Sequence, residues 1–485
     1  MKKRISIILT CILLIFAFCA CDTQSGLVGE VIGSQGTGTS PETEQETTPE
    51  TAFSEIGITT PTHEIPEVPE GVVQDSSWGI ALYVATEEVK DLDCSEVQSV
   101  QNAYFAYLES VSAHLGKTVN RIETTGKTAI KNAALALASG SDENMICMIP
   151  LAYAGDVYTS GDFYNVYDLP HINPGRSYWN ADFQEEMQVD GALYALCGAL
   201  TPDTAANVQC YAFNPSKAQE MGLDLYATVD AGDWTFDALN TVAKAYEDVN
   251  KNGYADQDDT FGVVYNANFR ASHLFYGSGM KAYADGSVNP DFSDQACSDA
   301  LAKLTDWFTD APELFDAFAA FENGNATMYA TTLADAAGAL FTDAQGNKTG
   351  IVPCPKYAKE VKSYASPVSV SAAMVAVGES TNAELAGYCL ELMAVMADMS
   401  LTPVMQDCLY NKLPDNEQCR EMIDLLCKSA AFDRDDAFMY FQNENPIGQA
   451  VMQHTTEVNF AARKNNTQKQ LDMIYSRIES ANKDR

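Results

Sequence analysis

From residue 78 onward, short β-branched and aromatic runs alternate with segments that repeat apolar residues at helical spacing. That alternation limits the chain to an α/β fold built on parallel strands. Trp78–Thr86 (WGIALYVAT) reads as a strand. Val97, Val100, Tyr104, Tyr107, Leu108 and Val111 share one helical face, so the spacing predicts an amphipathic helix over 95–115. A second helix is expected over Thr128–Ser139, ending at Gly140, and a short buried strand over Met145–Leu151. Ala192–Ala199 and Val208–Phe213 also read as strands. Further helices are expected over 235–248, 295–309, 312–322, 383–397, 417–430 and 466–482. No internal repeat is visible.

The residues before 76 are read differently. Lys2, Lys3 and Arg4 precede an apolar run from Ile5 to Ala20, which is the pattern of a signal peptide. Its end, Phe18-Cys19-Ala20-Cys21, resembles a bacterial lipoprotein lipobox, which implies cleavage after residue 20 and lipidation of Cys21. Two acyl chains suffice for stable anchoring. Residues 22–74 carry ten acids and no Lys or Arg, among mostly Gly, Ser, Thr and Pro. Such a segment buries too little apolar surface to offset chain entropy, so 21–75 is expected to be the lipidated Cys and a disordered acidic tether.

Charge and cysteines narrow the classes. Of 485 residues, 67 are Asp or Glu and 29 are Lys or Arg, a net charge of −38. An acidic surface repels phosphate backbones, so nucleic acid is excluded as a partner. The only stretch apolar enough to enter a bilayer is the leader, so the membrane is met through the lipid anchor alone. Beyond Cys21 there are ten cysteines, none in a CxxC pair, so no zinc or redox motif is supported. Their disulfide state is open at this level, since many sit in apolar contexts such as Ile146-Cys147-Met148.

An ordered set of motifs carries a family resemblance. Asp168-Leu-Pro, Tyr178-Trp-Asn180 and Gly191-Ala-Leu-Tyr-Ala195 come first. Asn214-Pro through Gly222-Leu223, Asp233-Trp-Thr-Phe-Asp-Ala-Leu239 and the run Asp248 to Val263 follow. Phe321-Glu-Asn-Gly-Asn-Ala-Thr-Met328 and Phe432-Asp-Arg-Asp-Asp-Ala-Phe438 complete it. Together they resemble the extracellular solute-binding proteins of ABC importers, family 1, over nearly all of 78–485. The resemblance implies a type II, two-lobe periplasmic-binding-protein-like fold with three hinge crossings and a ligand cleft between the lobes. It places lobe one at 76–198 plus 329–378 and lobe two at 199–328 plus 379–485. The crossings would fall near Leu196–Thr201, Met328–Thr332 and Val377–Glu379. It further implies a monomer on the outer face of a Gram-positive membrane. Such a subunit passes a solute, most readily a sugar or oligosaccharide, to ABC permease subunits and needs no cofactor.

Sugar rings stack their CH faces on aromatics and need fixed donors and acceptors for their hydroxyls. The ligand candidates are therefore Tyr153, Trp179, Phe269, His273, Tyr276, Thr332, Asp335, Ser369, Phe438 and Tyr440. Each aromatic among them also reads as core packing. The loop Asp248–Asp259 fits a calcium pattern, with Asp248, Asn250, Asn252, Asp256 and Asp259 as side-chain ligands and Tyr254 offering its carbonyl. Gly253 supplies the turn, and the competing reading is a metal-free surface turn. Gly126-Lys-Thr128 and Gly116-Lys-Thr118 lack the first glycine of a phosphate loop, having Arg121 and Val111 there, and read as turns. No G-x-S-x-G or H-E-x-x-H motif appears, and a catalytic role is not expected. The alternatives are an extracellular carbohydrate-active enzyme, whose acid pair cannot be localised among so many acids, and a surface glycan-binding or adhesion protein.

Overall fold

The computed structural model describes residues 60–69, 79–85, 98–140, 143–256, 258–265, 271–280, 283–284, 286–288, 295–310, 317–338, 348–379, 382–413, 417–440 and 457–483. Lobe one begins with β1 (Gly79–Val84), α1 (Gln98–Leu115), β2 (Val119–Glu123), α2 (Gly126–Ser139) and β3 (Glu143–Pro150). A 3-10 turn over Leu151–Tyr153 leads into α3 (Ala154–Ser160), and α4 (Ala181–Met187) follows. The three strands are parallel, with Leu82 opposite Ile146 and Arg121. The near-continuous apolar runs of β1 and β3 bury both faces, as parallel strands covered by helices require, while β2 (VNRIE) buries little beyond Val119.

Lobe two holds α5 (Asp203–Ala206), β4 (Gln209–Phe213), α6 (Pro215–Glu220), α7 (Leu225–Asp230), α8 (Phe236–Ala243), β5 (Phe261–Tyr265) and α9 (Ala271–Gly277). Then come a hairpin of β6 (Tyr283–Ala284) and β7 (Ser287–Val288), α10 (Gln295–Asp310), α11 (Ala317–Glu322), β8 (Ala326–Thr332), α12 (Leu333–Gly338) and β9 (Gly350–Pro353). Its sheet runs β5-β8-β4-β9, with β5 parallel to β8 and β4 antiparallel to both neighbours.

The chain returns through β10 (Ser366–Pro367) to β11 (Ala373–Val377), which pairs antiparallel with β3 and completes the first sheet as β11-β3-β1-β2. Then follow α13 (Ala383–Lys412), α14 (Glu417–Lys428), β12 (Ala430–Ala431), α15 (Arg434–Met439) and α16 (Glu457–Lys483). Helix α13 packs on α1 and β3, α14 on β9, and α16 on α3 and the β6–β7 hairpin. One buried core runs through both sheets, and the described residues belong to one compact unit.

Several sequence expectations change. Residues 192–199 form isolated bridges, Leu196 to Val375 and Gly198 to Trp179, rather than a strand; they are apolar because they thread between packed elements. Gly126-Lys-Thr128 is no turn but the first turn of α2, whose N-cap Thr125 accepts the Thr128 N–H through Oγ1 at 3.2 Å. The helix expected over 235–248 stops at Ala243, and those expected at 383–397 and 466–482 are longer. All of β8 and β9 lies in the second sheet, because a fully buried strand cannot cross between lobes in mid-ladder, so the span 329–378 is not wholly lobe one. Helix α13 belongs with lobe one, and at Gly378–Glu379 the chain is still bonded there, to Met145 and Asp162. The links between the sheets run through 198–208, 354–372 and 413–417. Residues 60–69, expected within the tether, lie extended along α13: the Tyr388 hydroxyl donates to the Pro66 carbonyl at 3.2 Å, and His63 Nε2 lies 2.7 Å from Asp398 Oδ2. Residues 1–59, with the leader and Cys21, lie outside the described residues.

Candidate functional site

The C-terminal ends of β1, β2 and β3 open on one edge of lobe one, where α/β ligands are usually bound. Tyr153 stands there, half-buried at the end of the 3-10 turn. Its ring lies so close to the start of α2 that a Cβ on Gly126 would come within 2.5 Å of it, which is why glycine opens that helix. From lobe two, the Tyr276 hydroxyl donates to the Phe432 carbonyl. Leu151, Tyr276, Pro367, Val368, Val370, Ala431, Asp433 and Asp436 enclose a gap of only about 10 Å³, room for about one water.

The segment Phe432–Tyr440 fills the space between the lobes. Asp433 caps α15, its Oδ1 accepting the Asp436 N–H at 3.0 Å. Arg434 donates to the carbonyls of Glu186 and Gln188, at 3.2 and 2.9 Å, tying α15 to lobe one. Asp435 accepts from the Tyr475 hydroxyl at 2.6 Å and from the Gly286 N–H at 3.2 Å. Burial raises the carboxyls of Asp433 and Asp435 above the usual carboxylate range; Asp436 adds to the rise at Asp433, and Arg434 opposes it at Asp435. Phe438 is buried against Tyr158 and Tyr475, with ring centroids 5.0 and 6.2 Å away, and Tyr440 ends α15 half-buried.

The other candidates divide by place. Ser369 lies between Val368 and Val370, which line the gap, and its own N–H donates to the Asn207 carbonyl at 2.9 Å. Thr332 and Asp335 sit at the end of β8 and serve α12 locally. Thr332 Oγ1 accepts the Asp335 N–H at 3.3 Å, and Asp335 Oδ2 accepts from Thr331 at 2.9 Å. Phe269 lies outside the described residues, and His273 is described only as backbone of α9. Of the candidates, Tyr276 lines the gap, and Tyr153, Ser369 and Phe438 lie within two residues of its lining at Leu151, Val368 and Asp436.

Trp179 does not. Its indole donates to Glu391 Oε2 at 3.2 Å, and the same carboxylate accepts from the Tyr178 hydroxyl and the Asn173 N–H. It lines a separate cavity of about 500 Å³ between Ser177–Asn180, the first crossing, α13 and α14, which shares no residue with the gap. Sequence reasoning passed over Glu391, whose one signal is an acid in an otherwise apolar helical stretch, and did not single out Arg434 and Asp433 within the motif that contains them.

The calcium-pattern loop is closed on itself. The Asp248 carboxylate accepts the N–H groups of Asn252 and Gly253, at 3.2 and 2.9 Å, and buried Asp259 accepts that of Val249 at 3.0 Å. Asn250 and Asn252 both donate to Asp256, whose carboxyl those bonds and the Asp258 N–H hold below the usual range. Gly253 has φ 78°, the left-handed turn the sequence called for. Tyr254 is exposed. Eight cysteines among the described residues are free thiols, and burial raises those of Cys147 and Cys389 to about 12.

No family model matches the chain, and no curated protein matches it. Solved structures do. It is similar to a cyclo/maltodextrin-binding protein complexed with maltotetraose, at 14% identity and a TM-score of 0.54, over 82% of this chain and 97% of that one. It is similar to an ABC substrate-binding protein from Listeria monocytogenes in complex with cycloalternan, at 12% identity and a TM-score of 0.52, over 82% and 100% of the two chains. A third is UgpB from Mycobacterium tuberculosis in complex with glycerophosphocholine, at 12% identity and a TM-score of 0.52, over 82% and 99%. At these identities the likeness concerns architecture, and the architecture is the two-lobe periplasmic-binding-protein-like fold of substrate-binding proteins.

Proposed function

We propose that this chain is the substrate-binding lipoprotein of an ABC importer. It is held outside the membrane by lipid on Cys21, captures a sugar or oligosaccharide between its lobes and delivers it to permease subunits. The observation that carries this reading is the interlobe gap where Tyr276, Asp433 and Asp436 meet Leu151 and Val368, with Tyr153, Ser369 and Phe438 within two residues of its lining, in a fold shared with proteins solved with maltotetraose and cycloalternan. Carboxylates and hydroxyls there offer acceptors and donors to sugar hydroxyls, and Tyr153 offers a ring. The chain works as a monomer without a cofactor, and turnover belongs to other subunits.

Thermal unfolding across a panel of mono- and oligosaccharides tests it. A ligand at a hundredfold over its Kd adds about 2.7 kcal/mol, a shift of about 3 °C for a chain of this size. One sugar class should give that shift and be recovered intact. No shift with any sugar would overturn the cargo, and consumption of a glycan would favour an enzyme instead.

We further propose that Asp248–Asp259 holds a structural calcium ion, with Asp248, Asn250, Asn252, Asp256 and Asp259 as side-chain ligands and the Tyr254 carbonyl completing them. The donor set is all oxygen once both asparagine amides turn their oxygens inward, which suits a hard cation. Calcium should raise the melting temperature and magnesium should not; Asp248→Asn should abolish the response. An identical melt in calcium and in chelator would overturn the assignment.

A further inference from the structure

We propose that the cavity under the first crossing is a second small-molecule site, taking a free α-amino acid with an aliphatic or aromatic side chain. The cavity holds about 500 Å³, within the range of ligand pockets. Its floor is apolar, with Met405, Leu409 and Ile423 buried at its base. Its rim carries both signs of charge. Asp424 and Lys428 stand four residues apart on the exposed face of α14, and Asp398 faces in from α13. Lys428 has no ion-pair partner among the described residues, and Asp424 uses only Oδ1, accepting from the Tyr410 hydroxyl at 2.7 Å. A zwitterion over an apolar floor fits this arrangement: the α-carboxylate meets Lys428, the α-ammonium meets Asp424, and the side chain enters the floor.

A sugar fits it less well, because the aromatic faces are already taken. Trp179 and Tyr178 are only 3% and 5% exposed, packed edge to face, and the Arg420 guanidinium covers Tyr410 at 5.7 Å. The walls come from both lobes, α13 packing in lobe one and α14 on β9 in lobe two. Occupancy here therefore couples to the angle between lobes, and by linkage to whatever the interlobe gap binds.

Calorimetric titration of the purified chain with L-leucine and L-phenylalanine tests the site, independently of any sugar response. Both should bind, and N-acetyl-leucine amide, which lacks both charges, should not. Lys428→Met and Asp424→Asn should each weaken binding about tenfold or more, the worth of one charge-assisted hydrogen bond, while Lys428→Arg retains it. Both positions are at the surface, and Asn keeps an acceptor for Tyr410, so folding is preserved. Bound leucine should also slow alkylation of Cys427, the one exposed thiol among the described cysteines, which lines the same rim. No binding of either amino acid, binding indifferent to both charge-removing variants, or equal binding of the uncharged amide would each overturn the proposal.

Discussion

A Cβ at residue 198 would lie 2.2 Å from the Tyr178 carbonyl oxygen, so the first crossing can touch lobe one only through glycine. Gly198→Ala should therefore destabilise the chain by about 1–3 kcal/mol, the cost of overpacking a fixed backbone contact. Denaturant melts measure it, and an unchanged midpoint would show that the crossing moves freely. Asp433 makes a prediction of opposite sign. An acid whose carboxyl is raised by folding binds more protons in the native state than in the unfolded one. Its contribution is therefore lost as pH rises from the unfolded value, about 3.9, through the higher folded value. Asp433→Asn keeps the cap and cannot ionise, so the variant should gain on the parent as pH rises above about 4. Parallel stability curves would contradict this. Neither residue's role was legible in the sequence: Gly198 reads as one more small residue in an apolar run, and an aspartate's burial depends on distant elements.

At the scale of elements, legibility followed period. Helices α1 and α2 and strands β1, β3 and β4 stand close to their expected places because their patterns repeat cleanly. Strand β2 (VNRIE) was missed because charged and polar residues break its alternation, and β12 because two residues carry no period. The 192–199 run was read as a strand because continuous apolarity fits any buried segment. Helix α13 shows what one element can fix at a distance. Glu391 is 5% exposed and gathers three donors, from Tyr178, Trp179 and Asn173. Glu391→Ala would strand all three and should cost about 3 kcal/mol or more, with Glu391→Gln falling between. Near-parent stability of the alanine variant would mean that water replaces the carboxylate there.

Besides the chain crossings, a side-chain clamp at α15 joins the two lobes. Arg434 grips lobe one through the Glu186 and Gln188 carbonyls, while Tyr276 holds the neighbouring Phe432 carbonyl from lobe two. The sequence resemblance located the first crossing and misplaced the other two, because β8 runs unbroken in its sheet and Gly378–Glu379 is still bonded within lobe one. It could not point to the clamp, because carbonyl partners leave no side-chain signature. The gap they close holds about one water among the described residues, far less than any sugar, so the capture proposed above would require the lobes to part and reclose around the solute. X-ray scattering should then report a radius of gyration near 22 Å for the sugar-bound chain, the value for a compact body of about 410 residues, and a larger one for the free chain. Arg434→Met removes two charge-assisted bonds that only the closed arrangement makes, so the variant should stay expanded and bind its sugar about tenfold or more weakly. Equal radii with and without sugar, or full affinity in Arg434→Met, would show that α15 is a fixed wall of lobe one rather than part of what closes.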